Sequence, residues 1–89
     1  MKTIKVIEEK EGEGLISFLG LPITVYCLNY IYTGTLIGVN DTCIKIDGKD
    51  ASIVYETGSL TALAFKDAQK CGRDRYIMTA TIESFEAGK

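Results

Sequence analysis

The sequence predicts a mainly β fold, a small and strongly bent five-stranded barrel with a short N-terminal helix and an added C-terminal strand. Three observations predict it. From Ile23 to Phe65 the chain is a series of short β-branched and aromatic runs, parted by Asn29-Tyr30, Asn40-Asp41-Thr42, Asp47-Gly48 and Gly58. Gly34 and Gly38 stand inside one of these runs, where glycine marks a bend, a bulge or a close backbone approach. The spacers are too short for the crossover helices that parallel strands need, which excludes a doubly wound α/β fold.

Residues 1–14 are charged and contain Gly12 and Gly14, so they read as an arm, at most with a short edge strand at Ile4 to Ile7. Leu15, Phe18 and Leu19 fall on one helical face, with Gly20 at the C-cap position and Pro22 as a stop signal, which predicts a helix of about two turns. Strands follow at Ile23 to Leu28, Ile31 to Val39 and Cys43 to Ile46. Asp47-Gly48 is a hairpin signal leading into a fourth strand at Ala51 to Tyr55, and Leu60 to Phe65 is the fifth. Lys66 to Asp74 is polar and fits a loop or a short helix, with Leu63, Ala64, Ala68 and Cys71 only weakly matching a helical face. From Arg75 onward Tyr76, Met78, Ala80 and Ile82 alternate with Ile77, Thr79, Thr81 and Glu83, which predicts a sixth strand with one apolar face. The chain thus divides into an arm (1–14), a barrel (15–65) and a C-terminal extension (66–89).

A chain of 89 residues is one domain. A domain this small buries only about 60% of the surface its unfolded chain exposes, so disulfides or burial against copies of itself would normally compensate. Ten Lys and Arg against 12 Asp and Glu give a net charge of −2, which argues against bulk electrostatic attachment to nucleic acid or anionic membrane. Histidine is absent, removing the commonest general base and metal ligand, so neither an enzyme, a metal site nor a cofactor is expected. Cys27, Cys43 and Cys71 are odd in number and form no C-x-x-C, which fits free thiols in a reducing cytoplasm. No secretory leader is expected from Met1 to Glu11. Leu15 through Asn40 carries no charge, but Gly20, Pro22, Gly34 and Gly38 interrupt it, so it reads as strands and not as a membrane span. Part of its burial is expected between subunits.

The order of short helix, bent strands and turns resembles the Sm/LSm family, including bacterial Hfq. Leu19-Gly20-Leu21-Pro22-Ile23-Thr24-Val25-Tyr26 resembles the helix end and first strand. Tyr32-Thr33-Gly34-Thr35-Leu36-Ile37-Gly38-Val39-Asn40 is similar to the first motif, and Ile53-Val54-Tyr55-Glu56-Thr57-Gly58-Ser59-Leu60 to the second. The likeness covers about residues 15 to 65. It implies an Sm-like (SH3-like) barrel in a homo-oligomeric ring of roughly five to seven copies, joined by strand pairing between neighbours. It also implies binding of single-stranded RNA through pore-facing loops, with no membrane partner.

Carried onto this chain, the RNA-contacting residues would be Asn40, Asp41, Thr42, Tyr55, Glu56 and Thr57. Asn40-Asp41 is equally a turn with self-satisfying side chains, and Tyr55 equally a core or interface residue. Thr42 stands where Hfq offers an aromatic, and Glu56-Thr57 replaces its Lys-His pair or the Ile-Arg of Sm proteins. An oligomeric scaffold or protein-interaction module that keeps the ring without RNA binding is therefore the alternative. Lys66, Lys70, Arg73 and Arg75, with Asp67 and Asp74 between them and Tyr76 beside them, are either a phosphate-contacting patch or a solvated loop with local ion pairs.

Overall fold

Beyond Pro22 the run of β-branched and aromatic residues gives antiparallel strands, and their registers define the architecture. The computed structural model describes residue 7, residues 14–55 and residues 68–88. The strands are β1 (Pro22–Cys27), β2 (Tyr30–Val39), β3 (Cys43–Ile46), β4 (Ser52–Tyr55), β5 (Gln69–Lys70), β6 (Arg75–Met78) and β7 (Ile82–Ala87). The expected edge strand at Ile4 to Ile7 lies outside the described residues apart from an exposed Ile7, and the expected fifth strand at Leu60 to Phe65 lies wholly outside them.

The predicted two-turn helix is a single 3-10 turn, Ile16–Phe18. Leu19 ends it, and Gly20 follows at φ +84°, the left-handed position glycine favours. The chain is drawn into β pairing at once: Gly20 N donates to the Leu36 carbonyl at 2.7 Å, and Leu36 N donates to the Leu21 carbonyl at 3.0 Å. Leu15 and Phe18 still pack on the core, whereas Leu19 is exposed.

β2 is the spine. One flank pairs with β1 from Pro22↔Thr35 to Tyr26↔Ile31. The other flank takes β4 along its first half, Tyr30↔Tyr55 to Thr33↔Ser52, and β3 along its second, Leu36↔Ile46 to Val39↔Ile44. β3 and β4 are therefore two halves of one bent path. β5 and β6 repeat this on the next path: β6 pairs with β3, β5 with β4, and Cys71 N donates to the Ala51 carbonyl between them. β7 pairs with the free flank of β1. Across the sheet the order is β7, β1, β2, β3 with β4, and β5 with β6.

Among the described residues no ladder joins β6 to β7, so the expected closed barrel is an open, bent sheet. Its outer paths come from the segment read as an extension. The Asp47-Gly48 turn forms, but it does not fold β3 back on β4: Asp47 N donates to the Thr35 carbonyl, and Asp50 N and Ala51 N both donate to the Asp47 carbonyl. It is an excursion within one path. The helical alternative for Lys66 to Asp74 gives way to the short strand β5 over Gln69–Lys70. The predicted sixth strand is cut by a 3-10 turn at Thr79–Thr81, and its apolar face is inverted. Ile77 is buried at 4% exposure, while Tyr76 and Met78 are 62% and 54% exposed.

The core gathers Ile23, Val25 and Cys27 of β1, Leu36 of β2, Ile44 and Ile46 of β3, Ala51, and Ile77 of β6. Each fully buried aliphatic side chain contributes about 1.5–3 kcal/mol relative to exposure. Phe18 and Phe85 meet edge to face at 5.9 Å, tying the N-terminal turn to β7. A bulge between Leu36 and Gly38 turns β2 from one half of the sheet to the other and leaves Ile37 exposed.

Candidate functional site

Asparagine at the end of a strand can cap its own turn, and Asn40 does so. Its Oδ1 accepts from Thr42 N at 2.8 Å, Thr42 Oγ1 at 3.0 Å and Cys43 N at 2.9 Å, while Asn40 N donates to the Cys43 carbonyl. The side-chain oxygen that could read a base is engaged three times. The turn docks against the 3-10 turn after β6: Thr79 N donates to the Thr42 carbonyl at 2.9 Å, and Thr79 Oγ1 to the Asp41 carbonyl at 3.0 Å. Thr81 Oγ1 closes the second turn onto the Met78 carbonyl at 2.7 Å. The segment beside Asn40–Thr42 is thus Met78–Thr81. The available signal was the Thr79/Thr81 pair, whose hydroxyls compete for backbone partners and break a strand.

Tyr55 pairs in register with Tyr30, at the far end of β2 from Val39 and Asn40. Roughly 30 Å of strand contour separates those ends. Asn40, Asp41 and Thr42 therefore lie together, and Tyr55 lies elsewhere. Glu56 and Thr57 lie outside the described residues, as does Lys66.

The remaining basic residues are gathered by two turns that dock on each other. Gly48 N donates to Asp74 Oδ1 at 2.8 Å, and a β-carbon on Gly48 would stand 2.2 Å from the Arg73 carbonyl carbon. Only glycine permits that approach. The 48–50 turn, with Lys49, thereby lies against the 71–74 loop, with Arg73. Lys70 in β5 and Arg75 in β6 flank that loop. The Arg75 guanidinium lies 5.6 Å over the Tyr32 ring, and Tyr32 lies 6.2 Å from Tyr30. Lys45 Nζ is 3.5 Å from Asp74 Oδ2 and 5.2 Å from the Tyr76 ring centroid. Sequence reading missed Lys45 and Lys49, which lie outside the segment it searched.

Hydrogen bonding from Gly48 N–H, and then Lys45 beside it, hold the Asp74 carboxyl below the usual carboxylate range. The Tyr76 phenol, and then Asp74, hold Lys45 above the usual lysine range. At the opposite edge β7 carries Glu83 and Glu86, and the Tyr26 phenol donates to Glu86 Oε1 across β1 and β7. That bond, with burial second, pushes Tyr26 up to about 12. Burial raises the Cys27 thiol as well.

All three cysteines are free, and among the described residues no three His, Cys, Asp or Glu side chains converge on a metal position. No helix among the described residues is long and apolar enough to cross a membrane. No protein-family model, curated protein or solved structure matches the chain.

Proposed function

We propose that this chain is a self-assembling β module, a homo-oligomeric scaffold of the Sm-like kind whose copies join edge to edge. One observation carries the reading. Among the described residues the sheet ends at β7 on one side and at β5 with β6 on the other, no ladder covers either edge, and only the Thr79–Thr81 turn separates β6 from β7. Free edges offer unpaired backbone groups to another chain. The β6 side presents Arg75 with exposed Tyr76 and Met78, and β7 presents Glu83 and Glu86. Two β7 edges brought together would oppose like charges, whereas β7 of one copy on β6 of the next sets acid against base. Such a head-to-tail contact closes into a ring when its rotation permits.

The family's activity, single-stranded RNA binding through the pore loops, is the reading this chain supports less. The Asn40 oxygen is occupied by its own turn, and neither 40–42 nor 78–81 holds an aromatic or a cation. Sedimentation velocity at micromolar concentration tests the assembly, and a single species near 9.7 kDa overturns it. Met78→Asp, exposed on the β6 edge, is expected to yield that monomer with its β signature intact.

A further inference from the structure

Among the described residues β7 has one strand neighbour, β1, and along its other flank runs a groove of about 390 Å³. Leu15, Ile82 and Phe85 give the groove an apolar wall, Glu83 and Ser84 continue it along the strand, and no residue of β1 lines it. Glu83 and Glu86 are both exposed, and neither β1 nor β7 carries a cation to answer them. The groove starts at Leu15, next to Gly14 with its φ of +78°, which is where residues 1–13 join the described chain.

Residues 2–7 have the composition this edge lacks. They read Lys-Thr-Ile-Lys-Val-Ile, with two cations, no acid and four β-branched side chains, and they match the six residues of β7 in length. The acids of the arm stand in residues 8–13, where Glu83 and Glu86 would repel them, so that stretch suits a connector and not an added strand. Residues 8–14 reach about 23 Å when extended. A six-residue strand is about 20 Å long, so residues 2–7 can lie along the whole of β7 within one chain. In an extended segment Ile4 and Val6 share one side, and Lys5 and Ile7 the other. Ile7 is 68% exposed, which assigns Ile4 and Val6 to the groove and Lys5 to the side of the carboxylates. An added strand gains main-chain hydrogen bonds at a sheet edge, and its alternate side chains fill the pockets there.

We infer that residues 2–7 dock on the free edge of β7 in their own chain, with Ile4 and Val6 in the groove of Leu15, Ile82 and Phe85 and Lys5 beside Glu83 and Glu86. This is the edge offered to β6 of the next copy, so the docked segment holds assembly back until it is displaced. The docking rests on β7 alone; its effect on assembly rests on the edge-to-edge reading above.

Hydrogen exchange of the full chain, read by mass spectrometry at a high and a low protein concentration, tests it. The amides of residues 3–7 are expected to exchange about tenfold or more slowly than in an unfolded chain, at both concentrations. Ile4→Asp with Val6→Asp is expected to remove that protection and to leave β1 and β2 protected as in wild type. Lys5→Glu is expected to weaken it, and Glu83→Lys added to Lys5→Glu to restore it. In sedimentation velocity the Ile4→Asp, Val6→Asp variant is expected to assemble at a lower concentration than wild type. The inference is overturned if residues 3–7 of wild type exchange as an unfolded chain does, or if the double variant stays protected. Protection that disappears on dilution gives the edge to a second copy and overturns it as well. Equal assembly of wild type and double variant overturns the competition for the edge. If protection holds and neither protein assembles at any concentration, the docking stands and the edge-to-edge reading falls.

Discussion

A β-carbon added to Gly34 would stand 2.1 Å from Ile46 Cγ2 and 3.2 Å from the Ala51 α-carbon. Gly34 is therefore the point where β2 crosses closely beneath the β3–β4 path, and Ile46 fills the space a side chain would take. Ile46 is fully buried and cannot swing aside without opening the core. Gly34→Ala is expected to destabilise by about 1–3 kcal/mol or more, as overpacking does. In a domain of this size each kcal/mol corresponds to roughly 4–8 °C in Tm, so a thermal melt within a degree of wild type would overturn the assignment.

Asn40 organises its turn through one oxygen with three donors. Asn40→Ala removes all three bonds, but the exposed donors regain water, so the loss is expected at about 1–2 kcal/mol. Asn40→Asp keeps the acceptor and is expected to stay within about 0.5 kcal/mol of wild type. Chemical denaturation midpoints of the two variants check this. Equal losses would mean that the side-chain oxygen does not hold the turn.

The sequence marks local chemistry well and path membership poorly. Cys43–Ile46 is a strand with the predicted bounds, Gly20 is left-handed after the N-terminal turn, and Asn40 satisfies its own turn as one of the two readings held. Each of these depends on residues within three or four positions. Asp47-Gly48 misleads because its flanking strands find β2, β5 and β6 instead of each other, a choice made by long-range pairing. The apolar face of β6 is misassigned because Tyr76, Met78, Ala80 and Ile82 alternate across a 3-10 turn that divides two strands. Ile77, the only branched aliphatic residue in Arg75–Met78, takes the core position on Ile44. The gathering of basic residues is half legible: Lys70, Arg73 and Arg75 stand close in sequence, while Lys49 joins them only because Gly48 lets two turns meet.

The Tyr26–Glu86 hydrogen bond links β1 to the edge strand β7, and it makes stability depend on alkaline pH. The folded-state phenol lies at about 12, above its ordinary value of 10. The bond's contribution is therefore fully present below about pH 10 and is lost as pH rises through about 12. Tyr26→Phe is expected to remove this component of the alkaline destabilisation, and Glu86→Gln to lower the phenol's titration midpoint. Absorbance titration at 295 nm (wild type against Tyr26→Phe) reads the midpoint directly. A missing component near 10 instead of near 12 would show that the bond is not held in solution.

Burial separates the three thiols. Cys27 lies in the core and its thiol is raised by desolvation, whereas Cys43 and Cys71 are half-buried. Thiolate is the reacting form, so a disulfide reagent at neutral pH should label Cys43 and Cys71 well before Cys27. Unfolded protein should yield all three groups per chain. Fast labelling of Cys27 in the folded protein, read by peptide mass, would place it outside the core.

Gly48 joins the two turns that carry Lys49 and Arg73. A β-carbon there would stand 2.2 Å from the Arg73 carbonyl carbon, 2.4 Å from Asp74 N and 2.5 Å from the Arg73 α-carbon. All three are backbone atoms, so the contact cannot be relieved by rotating a side chain. Gly48→Ala must separate the two turns, which breaks the Gly48 N to Asp74 bond and moves Lys49 away from Arg73. A loss at or above the upper end of the ~1–3 kcal/mol overpacking range is expected. Asp74→Asn is the milder companion. Asp74 is held below its usual range, first by Gly48 N–H and then by Lys45, so its contribution is present above the ordinary carboxylate value and lost as pH falls through the lowered one. The asparagine variant is expected to flatten the acid limb of the stability profile. It should also keep a weakened turn contact and leave Lys45 without its ion pair. If Gly48→Ala melts with wild type, the two turns do not meet at Gly48. If Asp74→Asn leaves the acid limb as steep as in wild type, the Asp74 carboxylate does not hold the turn.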